Sequence, residues 1–168
     1  DNVYSLGLNY ENGPIYVGYA YTEVDGKTAT NAATTAKSNR LGGYYKFGTM
    51  GQVGLLWDQT DADTHTANNK RSAYILNGKF NVTSAGSVIA GFGKALKADG
   101  VANSAATHYF VGYEHALSKR TVLKAIYAAV KNDSAAGYNF YNAATGTIGG
   151  LVVGQDPHAL QLGIRHSF

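Results

Sequence analysis

Apolar residues recur at every second position through most of this chain, and the 3.6-residue period of an amphipathic helix is almost nowhere to be found. Tyr4, Leu6, Leu8 and Tyr10 fall on one face of an extended segment, with Val3, Ser5, Gly7 and Asn9 on the other. Val17, Tyr19 and Tyr21 then oppose Gly18, Ala20 and Thr22, and Leu41, Gly43, Tyr45 and Phe47 oppose Arg40, Gly42, Tyr44 and Lys46. The pattern continues through Val53–Leu55–Trp57, Tyr74–Leu76–Gly78–Phe80, Tyr109–Val111–Tyr113, Leu123–Ala125–Tyr127–Ala129 and Leu160–Leu162–Ile164–His166–Phe168. It blurs around Val88, Ala90 and Phe92, because Ile89 occupies what should be the polar side. Period two is the signature of strands, so the alternation predicts an all-β chain of about nine strands, each roughly eight to ten residues long. That is the length that crosses a bilayer when tilted.

The connections alternate as well. Short turns are expected at Glu11–Pro14, Gly48–Gly51, Asn81–Gly86 and Leu117–Arg120. Longer segments rich in Ala, Thr, Asn, Asp and Gly, at Asp25–Ser38, Thr60–Lys70, Lys97–Ala106 and Lys131–Pro157, read as loops. Thr147–Gly154 is unusually apolar for a loop and suggests a strand continuing past the membrane. Short turns at one end and long loops at the other describe an up-and-down, antiparallel transmembrane β-barrel. No linker or domain boundary interrupts residues 1–168.

Composition decides which face meets lipid. Hydrophobic residues make up 45% and charged residues 15%, with 21 Gly, 13 Tyr, 6 Phe and no Cys. This excludes a disordered chain, a disulfide scaffold and a cysteine zinc site. No apolar run approaches the length of a transmembrane helix, and a dispersed net charge of +3 does not indicate nucleic acid. No signal peptide is visible at Asp1, so the chain is expected to be mature or to start elsewhere. The non-aromatic face holds too many glycines and too few charges for the exterior of a soluble lipocalin-like barrel. The inverse assignment fits better, with aromatic and aliphatic residues toward lipid and the mixed polar face around a wet interior.

Strand charges follow the same register. Arg40, Lys46, Arg71, Lys79, Lys124 and Arg165 are expected to point inward, with Asp58 and Glu114 opposing them. A charge facing lipid at the midplane costs about 2–4 kcal/mol, which favours the inward assignment. These eight residues are the expected pore-lining set, and their positive bias predicts attraction of small anions. Lys94 is the exception: strict register sends it outward, unless the register slips at Gly93.

Catalytic signatures fail on inspection. Gly91-Phe92-Gly93-Lys94-Ala95 lacks the third glycine and the helix of a dinucleotide fingerprint, and Ala95 stands where a phosphate loop needs Ser or Thr. No Gly-x-Ser-x-Gly elbow is present. Asp61, Asp63 and His65 alternate in a nominal loop, without the turn glycine and terminal Glu of a calcium site. His115 and His166 fall on the lipid side near the turn end, where a partly polar ring suits the interface. No metal, cofactor or catalytic residue is expected.

Particular runs carry a family resemblance. His115-Ala116-Leu117-Ser118-Lys119-Arg120-Thr121 is similar to a late periplasmic turn of the Gram-negative general porins, of the branch found in Neisseria and the β-proteobacteria. Leu162-Gly163-Ile164-Arg165-His166-Ser167-Phe168 resembles their terminal strand, and Asn12-Gly13-Pro14 before an alternating strand recurs there too. Leu160, Leu162, Ile164 and Phe168 resemble the signal read by the outer-membrane barrel assembly machinery. The resemblance implies an integral outer-membrane protein and the last nine strands of a 16-stranded barrel, hence the C-terminal portion of a longer chain. It also implies a homotrimer, contact with outer-membrane lipid and lipopolysaccharide, and passive diffusion of ions and small hydrophilic solutes. Two other readings compete: a small non-conducting barrel serving as adhesin or anchor, and a barrel enzyme such as a lipase or protease. The second lacks any nucleophile or acid constellation.

Overall fold

A computed structural model of the chain describes residues 2–27, 33–63, 70–142, 146–147 and 152–168. Eight long strands follow one another: β1 (Asn2–Asn12), β2 (Ile15–Lys27), β3 (Ala33–Lys46), β4 (Gly51–Asp63), β5 (Arg71–Asn81), β6 (Gly86–Ala95), β7 (Ala106–Ala116) and β8 (Thr121–Asn132). Two-residue strands β9 (Tyr141–Asn142) and β10 (Gly146–Thr147) pair with each other, and β11 (His158–His166) closes the series. The sheet has nine strands in the order β1-β2-β3-β4-β5-β6-β7-β8-β11, each antiparallel to its neighbour. Among the described residues β1 pairs only with β2 and β11 only with β8, so both edges keep free backbone donors and acceptors.

Several strands outrun their sequence boundaries. β2 reaches Lys27 and β3 begins at Ala33, inside the segment expected to be a loop, and β4 reaches Asp63. Polar composition marked these ends as loops, but a strand end standing clear of the membrane needs no apolar residues, only a partner for its backbone. The ladders Thr22↔Ser38 to Lys27↔Ala33 and Thr35↔Asp63 to Ser38↔Thr60 supply that partner. The blurred segment around Val88 is a regular strand. Ile89 sits on the polar face opposite Lys79 and Gly112, which explains the weak alternation without any break in pairing. Of the apolar stretch Thr147–Gly154, Thr147 belongs to the separate ribbon and Val153 and Gly154 form a turn, while residues 148–151 lie outside the described residues.

The hairpins have local causes. Asn12 and Ile15 are ladder partners, which leaves only Gly13 and Pro14 in the turn. A two-residue loop whose twist suits the flanking strands requires positive φ at its first position, and Gly13 adopts φ 55°. Gly51 opens β4 where a Cβ would lie 2.1 Å from the Lys79 carbonyl oxygen, so only glycine allows this approach of β4 to β5.

Cross-strand pairing fixes two faces. One carries Leu8, Tyr19, Leu41, Trp57 and Tyr74 in a continuous row, and Leu76, Phe92, Tyr109 and Ala129 in another. No protein layer covers it: Leu8 is 62% exposed, Leu55 56%, Val111 53% and Leu162 72%. Apolar side chains left bare in rows across the sheet are what a lipid-facing wall requires. The register runs without a slip through Gly93↔His108 and Lys94↔Thr107, which places Lys94 on this aromatic face. It stands beside Tyr74, toward the long-loop end.

Candidate functional site

The other face carries the charges expected to line a wet interior, while Glu23, Asp25, Lys27, Lys37, Asp61, Asp63, Lys94 and Lys131 stand on the aromatic side, all toward the long-loop end. The ladders put Arg40, Lys46, Asp58, Arg71, Lys79, Glu114, Lys124 and Arg165 on the polar face, together with Glu11, which alternation alone did not single out. Between them lie Gly7, Gly18, Gly42, Gly54, Gly91 and Gly112, so the surface is low except where long side chains cross it. Those side chains lie flat over the glycines. A Cβ at Gly18 would come within 3.0 Å of the Tyr16 hydroxyl, and one at Gly91 within 2.2 Å of the Phe110 ring.

Two ion pairs form on this face among the described residues. Arg40 Nε donates to Asp58 Oδ2 at 2.7 Å, directly across the β3–β4 ladder. Lys79 on β5 reaches over β6 to pair with Glu114 on β7. Lys46, Arg71, Lys124 and Arg165 have no carboxylate partner among the described residues. Lys46 Nζ lies 5.0 Å from the centre of the Tyr44 ring, which in turn stacks on Tyr16 at 5.1 Å and 13°. Tyr16, Tyr44, Arg40, Gln52 and Asn77 border a groove of about 630 Å³ over the glycines of β2 to β4.

A second cluster occupies the long-loop end of the same face. The segment after β8 turns back over β7 and β8 and buries Ala136 against Ala106 and Val130, with Tyr138 and Phe140 packed beside them. Asn132, the last residue of β8, holds it. Its Nδ2 donates to the Tyr138 carbonyl at 3.0 Å and the Gln155 carbonyl at 2.6 Å, and its Oδ1 accepts from the Tyr138 amide at 3.0 Å. The Asn132 amide donates to Asp156 Oδ1 at 2.8 Å. Phe140 meets His108 edge-on at 6.3 Å, and the Arg71 guanidinium lies 5.2 Å from the centre of the Tyr138 ring. Burial pushes the Tyr138 phenol above its ordinary range, against the opposing pull of Arg71. Sequence reasoning missed Asn132, Tyr138, Phe140 and His108 as a group. The clue present was a Tyr-x-Phe spacing inside a nominal loop, which puts two rings on one side of an extended segment.

The remaining expected residues are placed as follows. Leu160, Leu162 and Ile164 lie on the aromatic face of β11, 66% to 72% exposed, and Phe168 follows the strand end. His115 and His166 sit on that face beside the short turns, with His166 Nδ1 2.9 Å from the Thr121 hydroxyl. Asp61 and Asp63 belong to β4 and not to a loop, in register with Lys37 and Thr35, while His65 lies outside the described residues. Among the described residues no group of acidic, His or Cys side chains is arranged to hold a metal ion.

Comparison with known proteins agrees with this architecture. Residues 1–135 match the family model described as Gram-negative porin. The chain is 31% identical over 160 residues to outer membrane porin protein 32 of Delftia acidovorans, covering 95% of this chain and 44% of that protein. It superposes on the anion-selective porin from Comamonas acidovorans with a TM-score of 0.81 at 28% identity, over 96% of this chain and 48% of that one. OmpT of Vibrio cholerae gives a TM-score of 0.74 at 16% identity, over 98% and 55% of the two chains, a likeness of fold alone. The chain thus spans about half the length of these relatives.

Proposed function

The chain belongs to the Gram-negative porin family, and from that premise we propose that it walls a passive, water-filled channel for ions and small hydrophilic solutes, with a weak preference for anions. It is an integral protein of the outer membrane. The observation that carries the channel reading is the division of one sheet into a bare aromatic face and a charged, glycine-lined face. Lipid on one side and water on the other satisfy both faces, and backbone pairing from strand to strand removes the polar groups that hydrocarbon would penalise. No catalytic step is involved: passage is decided by width and wall charge.

In this reading Arg40, Lys46, Asp58, Arg71, Lys79, Glu114, Lys124 and Arg165 line the pore. Lys46, Arg71, Lys124 and Arg165 support anion preference because no carboxylate among the described residues neutralises them. The solved relative from Comamonas is itself named anion-selective. The open edges of β1 and β11 take further strands of the same polypeptide, which makes these the last nine strands of a 16-stranded barrel, assembled as a homotrimer. Leu160, Leu162, Ile164 and Phe168 present the assembly machinery with alternating apolar contacts, and the aromatic face meets outer-membrane lipid and lipopolysaccharide.

The test is conductance of the purified full-length protein in a planar bilayer, with the reversal potential measured across a potassium chloride gradient. Ohmic channels with a reversal potential on the anion side are expected. A correctly inserted protein that never conducts would leave a small anchoring barrel in place of a porin.

A further inference from the structure

We propose that residues 133–140 form an inward-folded lid at the long-loop mouth of the conduit, in which Tyr138 is the selectivity-determining residue because its ring masks the Arg71 charge. The inference rests on the channel reading above.

Three observations converge on it. The segment is built in and not merely draped. Ala106, Val130 and Ala136 form a buried apolar cluster in a sheet whose other large apolar residues are mostly exposed, and Asn132 spends its whole side chain on the Tyr138 and Gln155 backbone. Further backbone bonds tie it down: the Ala135 amide to the Asn103 carbonyl at 2.8 Å, the Asp133 amide to the Ala105 carbonyl at 2.9 Å, and the Gly154 amide to the Ala136 carbonyl at 2.8 Å.

Second, the lid lies over the charged face. Tyr138 and Phe140 roof a cavity of about 350 Å³ floored by Ala73, Ile75, Gly93 and His108, all of which point to that side of the sheet. Solutes travelling along β5 to β8 meet these rings first.

Third, the ring covers a charge. Arg71 has no carboxylate partner among the described residues, its Nε is buried without a hydrogen-bond partner, and the Tyr138 ring centre lies 5.2 Å from its guanidinium carbon. The attraction of a cation for the ring face holds the arrangement without neutralising the cation. The Tyr138 hydroxyl is buried without a well-formed hydrogen bond, yet lies near enough to Arg71 to feel its charge, so ring and phenol both face the guanidinium.

The experiment compares single-channel conductance and the anion-to-cation permeability ratio for the wild-type full-length protein and for Tyr138→Ala, Tyr138→Phe, Arg71→Gln and the double variant Tyr138→Ala/Arg71→Gln. Tyr138→Ala is expected to conduct more and to raise the permeability ratio by up to roughly seven-fold. One fully bared charge acting across about 7 Å of water favours an anion by about RT and disfavours a cation by the same amount. Tyr138→Phe should match wild type. The double variant should keep the higher conductance while its ratio returns toward wild type. Wild-type conductance with no change in either quantity in Tyr138→Ala overturns the lid. A Phe variant that behaves like Ala, or a double variant whose ratio stays high, overturns the masking of Arg71. A silent wild-type protein overturns the channel reading itself, and the lid with it.

Discussion

Lys124 stands directly opposite Glu114 in the β7–β8 ladder, yet the ion pair of Glu114 is made by Lys79, two strands away on the other side. The cause lies on β11. The Lys124 stem rests over Gly163, where a Cβ would come within 2.9 Å of Lys124 Cε and 3.4 Å of its Cγ. A missing side chain on one strand thus steers a cation away from the carboxylate beside it.

Gly163→Ala should therefore lower anion preference. The added methyl displaces the flexible end of Lys124, and the nearest acceptor on its other side is Glu114. The reversal potential in a salt gradient is expected to move toward the cation side, in the direction that Lys124→Gln takes it. An unchanged potential in Gly163→Ala would disconnect the two residues.

Charge reversal tests the wall more bluntly. Lys124→Glu combined with Arg165→Glu converts two cations of the polar face, neither with a carboxylate partner among the described residues, into anions. Anion preference should be lost, and the effect should shrink at molar salt, where screening shortens to about 3 Å. Retained preference would remove both residues from the selectivity filter.

Asp58→Asn should act in the opposite sense. It frees Arg40, whose guanidinium pairs with Asp58 at 2.7 Å while remaining 58% exposed. Anion preference should rise. Stability should fall by no more than about 1 kcal/mol, because an ion pair this exposed contributes little. A larger loss in urea-induced unfolding would mean that the pair holds β3 to β4.

The assignment of faces can be tested by a matched pair of insertions. Val111→Arg puts a charge among bare aromatic-face residues, whereas Ile126→Arg puts one on the polar face, where it is in register with Gly112. Val111→Arg should destabilise the folded barrel in lipid by about 2–4 kcal/mol at mid-depth, and Ile126→Arg should cost far less. Equal losses for both would refute the division into lipid and water sides.

Much of this architecture was legible in local sequence. Tyr4 to Tyr10 announces a strand and its faces because successive side chains point to opposite sides of any extended backbone. Leu117–Arg120 announces its turn because it interrupts that alternation. Strand ends were harder to read: Asp25 to Lys27 and Ala33 to Thr35 look like loop by composition, and become strand only because each finds the other's backbone.

What alternation determined by itself was the side of the sheet on which each residue stands, including the outward Lys94 that looked like an error of register. Facing depends only on the parity of positions along one strand, a local property. Tertiary structure alone decided which cation meets which carboxylate and where the polar segment after β8 lies. Glu114 takes Lys79 because of a glycine nearly fifty residues downstream, and Tyr138 covers Arg71 of β5 because Asn132, at the end of β8, fastens the segment's backbone as well as that of Gln155. Such choices rest on contacts between side chains far apart in sequence, and no periodicity encodes them.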